Sequence, residues 1–226
     1  MSWKAQFLLG RPGAEYLFDI NPAALNLSDE GVVVMHENIA GDLKQSVRKI
    51  SRPVIQISST YLTLAQRNQF ASLVGIADTF LSFQIRDDLQ VTDELVTIID
   101  ATHVQIANSS ATRLSAYLVA LGLSSTITIV TPFKVSATNL PAWGSGDWGA
   151  GTWDVLGGGG TFDPGAVTYD DATRIITLTN PITDLTVALY VTYTYTGWLM
   201  KMTKMSHKSL GGWLDRFPYD FELQGV

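Results

Sequence analysis

Leu185–Tyr195 reads LTVALYVTYTY and alternates over eleven residues. A repeat of two is the period of a strand with one face buried, and a helix cannot satisfy it. Leu185, Val187, Leu189, Val191, Tyr193 and Tyr195 therefore share one face. A strand needs neighbours, and the chain offers them. Glu15–Ile20 (EYLFDI), Val32–Met35, Val47–Ile50, Val54–Tyr61 and Thr79–Ile85 are β-type runs. Leu95–Ile99 with Val104–Ile106 reads as a hairpin around Asp100-Ala101-Thr102. Thr126–Thr131, Val167–Tyr169, Arg174–Thr179, Leu199–Met205 and Trp213–Val226 follow. Pro53 and Pro218 cannot donate to a ladder, which places them at a strand start or an edge. The fold class read from this pattern is mainly β.

Two stretches break the pattern. Thr63-Leu64-Ala65-Gln66 is a capping box, in which the Thr63 hydroxyl accepts an early backbone N–H and Gln66 reaches back. Phe70, Leu73 and Val74 then recur at helical spacing, which predicts a short helix over Leu64–Val74, with Gly75 as a left-handed C-terminal cap. Ser110–Leu121 carries Leu114, Tyr117, Leu118 and Leu121 at similar spacing before Gly122, which predicts a second helix capped by Ser109 or Ser110. A buried strand through Tyr117–Val119 is the alternative.

Charge divides the chain. Residues 87–196 hold three basic residues (Arg113, Lys134, Arg174) against eleven acidic ones, a net of −8, and the remainder carries +2. The expected organisation is a split domain, 1–86 plus 197–226, carrying an inserted acidic, β-rich peripheral domain at 87–196. The closing strand is expected to pair back into the Gly31–Arg86 segment. Only 16% of residues are charged, against about 25% in an ordinary soluble protein. A surface so short of charge points to contacts made in an assembly.

Reactive constellations are scarce. The chain has no cysteine, which removes disulfides, thiolate zinc sites and cysteine nucleophiles. Asp87-Asp88 and Asp93-Glu94 have no histidine beside them and read as solvated turns rather than acid–base pairs. His103 reads as a surface residue, and His207 lacks the serine and carboxylate of a triad. No catalytic residue, metal ligand or cofactor-binding residue is singled out, and an enzyme is not expected. Lys44, Arg48, Lys49 and Arg52 form a basic cluster, but no aromatic lies among them, as a nucleic-acid platform requires. No apolar run approaches the length of a membrane span. The N-terminal MSWKAQFLLGRPGAEY is too short and too interrupted for a signal peptide.

Asn139–Pro164 holds Trp143, Trp148 and Trp153 among eight of the nineteen glycines. Glycine is entropically costly to order, and spaced tryptophans offset that by packing. These three are the candidate contact residues. The favoured reading is a loop anchored on its own or a neighbouring subunit; the sharper one is a platform for sugar rings. Gly157–Gly160 lacks the spacing and lysine of a phosphate loop.

The order of elements resembles a known family. A strand, a hairpin, a strand, a capped helix and a strand lead to a β-rich insert after LSFQIRDD. The chain then returns through YTYTGWLMKM to a last strand in RFPYDFELQGV. In this layout it resembles the distal tail proteins of long-tailed (siphovirus-type) phages, most specifically in Ser51–Ile85 and Val187–Trp198. The resemblance implies a tail-tube-like β-sandwich or split-barrel core, shared with major tail-tube proteins. It implies a structural virion protein, a homohexameric ring at the distal end of the tail, made in the host cytoplasm. The implied partners are copies of itself, the tail-tube protein, the tail-tip or baseplate hub protein and the tape-measure protein. DNA would pass through the channel during genome ejection without specific binding, and no membrane is involved. The major tail-tube protein is the nearest alternative. A carbohydrate-binding receptor-recognition module of the tail tip, using Trp143, Trp148 and Trp153, is the alternative of another class.

Overall fold

A computed structural model describes residues 5–20, 25–30, 33–37, 43–47, 52–59, 63–76, 79–136, 159–207 and 219–226. The protein is mainly β with two short helices. It divides into two units. Unit 1 comprises Met1–Asp88, Asn108–Thr126 and Thr196–Val226, and unit 2 comprises Leu89–Ala107 and Ile127–Tyr195.

In chain order, β1 (Ala5–Arg11) and β2 (Ala14–Ile20) form a hairpin whose turn uses Gly13 at φ 83°. Then come β3 (Leu25–Glu30), β4 (Val33–Glu37), β5 (Leu43–Val47) and β6 (Arg52–Ser59). Helix α1 (Leu64–Val74) precedes β7 (Leu81–Leu95), which runs from unit 1 into unit 2. Unit 2 continues with β8 (Thr97–Ile98) and β9 (His103–Gln105). Helix α2 (Ser110–Ala120) belongs to unit 1. Strands β10 (Thr128–Ser136), β11 (Gly159–Phe162), β12 (Val167–Asp170) and β13 (Ile175–Leu178) belong to unit 2. The twenty-residue β14 (Ala188–His207) returns to unit 1, and β15 (Tyr219–Gly225) closes the chain.

Unit 1 is built on a sheet ordered β2-β1-β7-β14-β15-β6-β3. The closing strand pairs antiparallel with β6, Phe221 opposite Ile57 and Leu223 opposite Ile55, as expected of a strand returning to the Gly31–Arg86 segment. One face carries a row of aromatic rings. Trp198 stacks on Phe83, Phe83 on Phe7, Phe7 on Phe18, Phe18 on Phe70 of α1, and Phe70 on Phe221. Phe70 thus touches both β2 and β15, which have three strands between them in the sheet. The sheet must curl around α1 to allow it. Each such ring removed from water contributes about 1.5–3 kcal/mol, the main term holding this unit together. Helix α2 packs Leu114 and Leu118 against Leu199.

Unit 2 has a four-stranded sheet, β12-β13-β9-β8, and a second group in which β10 pairs with β11 and with the first part of β14. Val104, Ile176, Phe133, Val191 and Tyr193 fill the core between them. The alternation of Leu185–Tyr195 is realised here: Leu189, Val191 and Tyr193 are buried, with Val187 and Tyr195 packed at the margin. Leu185 precedes the strand and is exposed.

Several expectations need correction. The insert is not continuous over 87–196, because Asn108–Thr126 groups with unit 1, where Leu114 and Leu118 find Leu199. Of the run Val47–Ile50, residues 48–50 lie outside the described residues; the strand described before them is β5, with Val33 paired to Val47 and Glu37 to Leu43. Asp87-Asp88 and Asp93-Glu94 are not turns but lie inside β7, which continues through them as a largely solvated strand. Gly75 is right-handed at φ −65°, and its N–H donates to Leu73 O, so the helix ends without a left-handed cap. On α2 the buried residues are Ser110, Ala111, Thr112, Leu114, Ser115 and Leu118, leaving Tyr117 and Leu121 exposed. Ser115 is admitted because its Oγ accepts from Thr126 N and bonds Ser125. Unit 2 stops at Tyr195, and β14 continues through Gly197 and Trp198 in unit 1. Thr126–Thr131 starts and ends later, as β10.

Candidate assembly surface

The two faces of the unit 1 sheet differ because its strands alternate. On β6, Ile55 and Ile57 are fully buried while Gln56 and Ser58 are exposed. The same division puts Phe7 and Leu9 of β1, Phe83 of β7 and Phe221 and Leu223 of β15 on the α1 side. The opposite side is a field of amides, hydroxyls and balanced charge. Gln56 Nε2 donates to Glu222 Oε2 at 3.4 Å, and Thr203 Oγ1 to Glu222 Oε1 at 3.1 Å. Gln84 Nε2 donates to Ser82 Oγ at 2.9 Å and Glu15 Oε1 at 3.2 Å, and Arg86 donates to Gln6.

The edges are the more consequential feature. Among the described residues the sheet ends at β2 on one side and β3 on the other, with no strand paired outside either. The outer rows of N–H and C=O groups run for seven residues on β2 and six on β3. Natural sheets protect such edges with lysine, proline, bulges or a covering element. β2 reads AEYLFDI, without lysine or proline but with Glu15 and Asp19; its register with β1 runs unbroken from Ala14 to Ile20, and Gln66 Nε2 of α1 donates to Asp19 O at 3.5 Å. Tyr16 and Leu17 on β2 and Leu27 on β3 are exposed apolar side chains beside these edges.

The other candidate residues do not converge on this surface. Trp143, Trp148 and Trp153 lie outside the described residues, as do Arg48 and Lys49 of the basic cluster. His103 is on β9, with Nδ1 2.8 Å from Asp100 Oδ2. The Thr102 N–H, with the His103 ring beside it, holds the Asp100 carboxyl below the usual aspartate range. Asp93 faces Lys134 in an ion pair, and Glu94 accepts from Ala107 N and the Tyr193 hydroxyl, so the acidic pair is used structurally. Among the described residues no group of three or more histidine, aspartate or glutamate side chains is placed to hold a metal ion. No helix there is long and apolar enough to cross a membrane.

Sequence reasoning missed β1, and with it the fact that β2 is an edge. The signal was present: Phe7 and Leu9 alternate, Pro12-Gly13 marks a turn, and EYLFDI follows. Comparison with protein-family models, curated proteins and solved structures finds no match.

Proposed function

We propose that this chain is a structural virion protein, not an enzyme, that forms a ring at the distal end of a phage tail. There it would join the tail tube to the tail tip or baseplate around the DNA channel. The observation that carries the reading is that, among the described residues, β2 and β3 end one sheet with no strand paired outside either. Different edges on one subunit suit head-to-tail pairing, β2 of one copy against β3 of the next. Such a contact is heterologous and closes into a ring when the rotation permits. Ring closure would pair the outer backbone groups of β2 and β3. The low charged fraction of the chain and the layout resemblance to distal tail proteins support the same reading. Unit 1 is near balance, thirteen basic residues against twelve acidic, and the acidic excess is in unit 2, two against nine. In this reading the tail-tube, hub and tape-measure proteins are the neighbours, and the core is of tail-tube type.

Electron microscopy and light scattering of the purified chain test the proposal. Closed rings, single or in short stacks, are expected, with a subunit number near the six that the resemblance implies. Leu17→Lys, which places a charge beside the β2 edge, is expected to abolish rings and leave the melting temperature nearly unchanged. Long filaments would instead identify a tube protein, and monomers under all conditions would overturn the reading.

A further inference from the structure

The ring reading brings a neighbouring strand to the outer edge of β2, and α1 already occupies part of that edge. The β1–β2 turn closes on the pair Arg11 and Ala14, around Pro12 and Gly13. In a two-residue hairpin the closing pair is a hydrogen-bonded one, and bonded and non-bonded pairs then alternate along the ladder. Ala14, Tyr16 and Phe18 therefore turn their backbone groups towards β1, and Glu15, Leu17 and Asp19 turn theirs outward. One of these outward groups has a partner from the helix. Gln66 Nε2, in the first turn of α1, donates to the Asp19 carbonyl at 3.5 Å. The amide is aimed by the helix cap: its Oε1 accepts from Thr63 N at 3.0 Å and from the Thr63 hydroxyl at 3.2 Å, which leaves Nε2 to reach β2. Two further contacts hold α1 against the same strand. Phe70 stacks on Phe18 with ring centroids 4.3 Å apart, and Ser72 Oγ donates to the Tyr16 hydroxyl at 3.5 Å.

We propose that the first turn of α1 is a latch on the β2 edge, an autoinhibitory contact that lets go before β3 of a neighbouring copy pairs along the whole of β2. The proposal rests on the ring reading and adds its regulation. Gln66 and the incoming strand compete for one acceptor. In the free chain the Asp19 carbonyl accepts from the Gln66 amide; in the ring it accepts from a backbone N–H of the neighbour, as an edge carbonyl does when a strand is added. At 3.5 Å the latch bond lies beyond the usual range for N–H···O and is weak. Copies therefore keep the edge covered when dilute and displace the amide when abundant. Pairing begins at Glu15 and Leu17 and is completed at Asp19.

Assembly of the purified full chain, followed by light scattering after a jump in concentration, tests the latch. Gln66→Ala removes the donor and is expected to speed ring formation about threefold, the weight of one weak neutral hydrogen bond. That variant also loses half of the capping box, so Thr63→Ala is the control: it breaks the same box and keeps the Gln66 amide. Thr63→Ala is expected to assemble at the rate of the parent. Rings that form no faster in Gln66→Ala, or as fast in Thr63→Ala as in Gln66→Ala, overturn the latch and leave the ring reading standing. No rings from the parent or from either variant sinks the ring reading, and the latch with it.

Discussion

The Tyr193 hydroxyl donates to Glu94 Oε2 at 2.7 Å. The other carboxylate oxygen of Glu94 accepts from the Ala107 backbone N–H. One side chain thereby ties three segments of unit 2: the end of β7, the chain just before Asn108, and β14. Tyr193 is buried with Phe133 and Val191, so its hydroxyl needs a partner, and Glu94 supplies it. The backbone assists. Asp93 sits at φ 56°, a left-handed turn in the strand that lies immediately before Glu94.

Replacing Tyr193 by phenylalanine removes the donor and leaves the carboxylate with one partner fewer. A hydrogen bond to a charged group contributes about 1.5–3 kcal/mol, and the half-buried Glu94 argues for the lower end. Urea unfolding should show a lower midpoint with an unchanged slope. Glu94→Ala should cost more, because Ala107 N and Tyr193 both lose their acceptor. A Tyr193→Phe variant within about 0.5 kcal/mol of the parent, the range of ordinary surface substitutions, would show that water replaces the bond.

Gly197 is the residue least able to change. A Cβ there would collide with Phe83 O and lie 2.7 Å from Gln84 Cα, both backbone atoms of the neighbouring strand. Nothing flexible can move aside, so β7 and β14 would have to separate where Trp198 stacks on Phe83. Gly197→Ala is expected to give little soluble folded protein. Gly160→Ala is the control, since nothing lies within 4 Å of a Cβ there. Its melting temperature should stay within a few degrees of the parent; comparable yields of the two variants would refute the steric argument.

Both helices begin on capping boxes, Thr63 with Gln66 and Ser109 with Thr112. Thr63→Ala and Ser109→Ala should each lose about 1 kcal/mol, and Thr63→Ser should recover most of the first loss. Ser109 is the more constrained of the two, because Thr112 also donates its hydroxyl to Ser109 O at 2.9 Å. Chemical denaturation of the three variants checks this. Equal stability of Thr63→Ala and the parent would mean that α1 is held by Phe70 and Leu73 alone.

What was legible in the sequence was local. The bounds of α1 follow from a capping box and two core positions, all within eleven residues, and they appear as read. The Leu185–Tyr195 alternation likewise predicts which side chains of β14 reach the core. What was not legible depends on distant partners. Asp87-Asp88 looks like a turn until β7 is seen to continue through it, and no run of residues shows that the Phe83 backbone lies against Gly197. On α2 the apolar spacing misled, because Ser115 finds Ser125 and Thr126 while Tyr117 and Leu121 are exposed among the described residues. The candidate surface suffered most. An open edge is a property of the whole sheet order, and no run of residues declares it.

Tyr169 and Asp170, neighbours on β12, should respond to pH in opposite directions. Burial pushes the Tyr169 hydroxyl well above the ordinary phenol range, and the Asp171 carboxylate adds to the shift. The folded state favours the neutral phenol. Its contribution to stability is therefore complete below the unfolded value of about 10 and disappears as pH rises through the higher folded value. Asp170 is held low by the Thr173 hydroxyl and then by the Ala172 N–H. Its contribution is complete above the unfolded value of about 4 and is lost as pH falls through the depressed one. Absorbance at 295 nm, followed for the parent and for Tyr169→Phe, should show that the missing tyrosine is one that ionises only as the protein unfolds in alkali. Tyr169→Phe should also flatten the loss of stability above pH 10, while Asp170→Asn should flatten the loss below pH 4 and leave the alkaline limb intact. A difference titration placing Tyr169 at an ordinary phenol value, in a chain still folded by circular dichroism, would show that its hydroxyl reaches solvent.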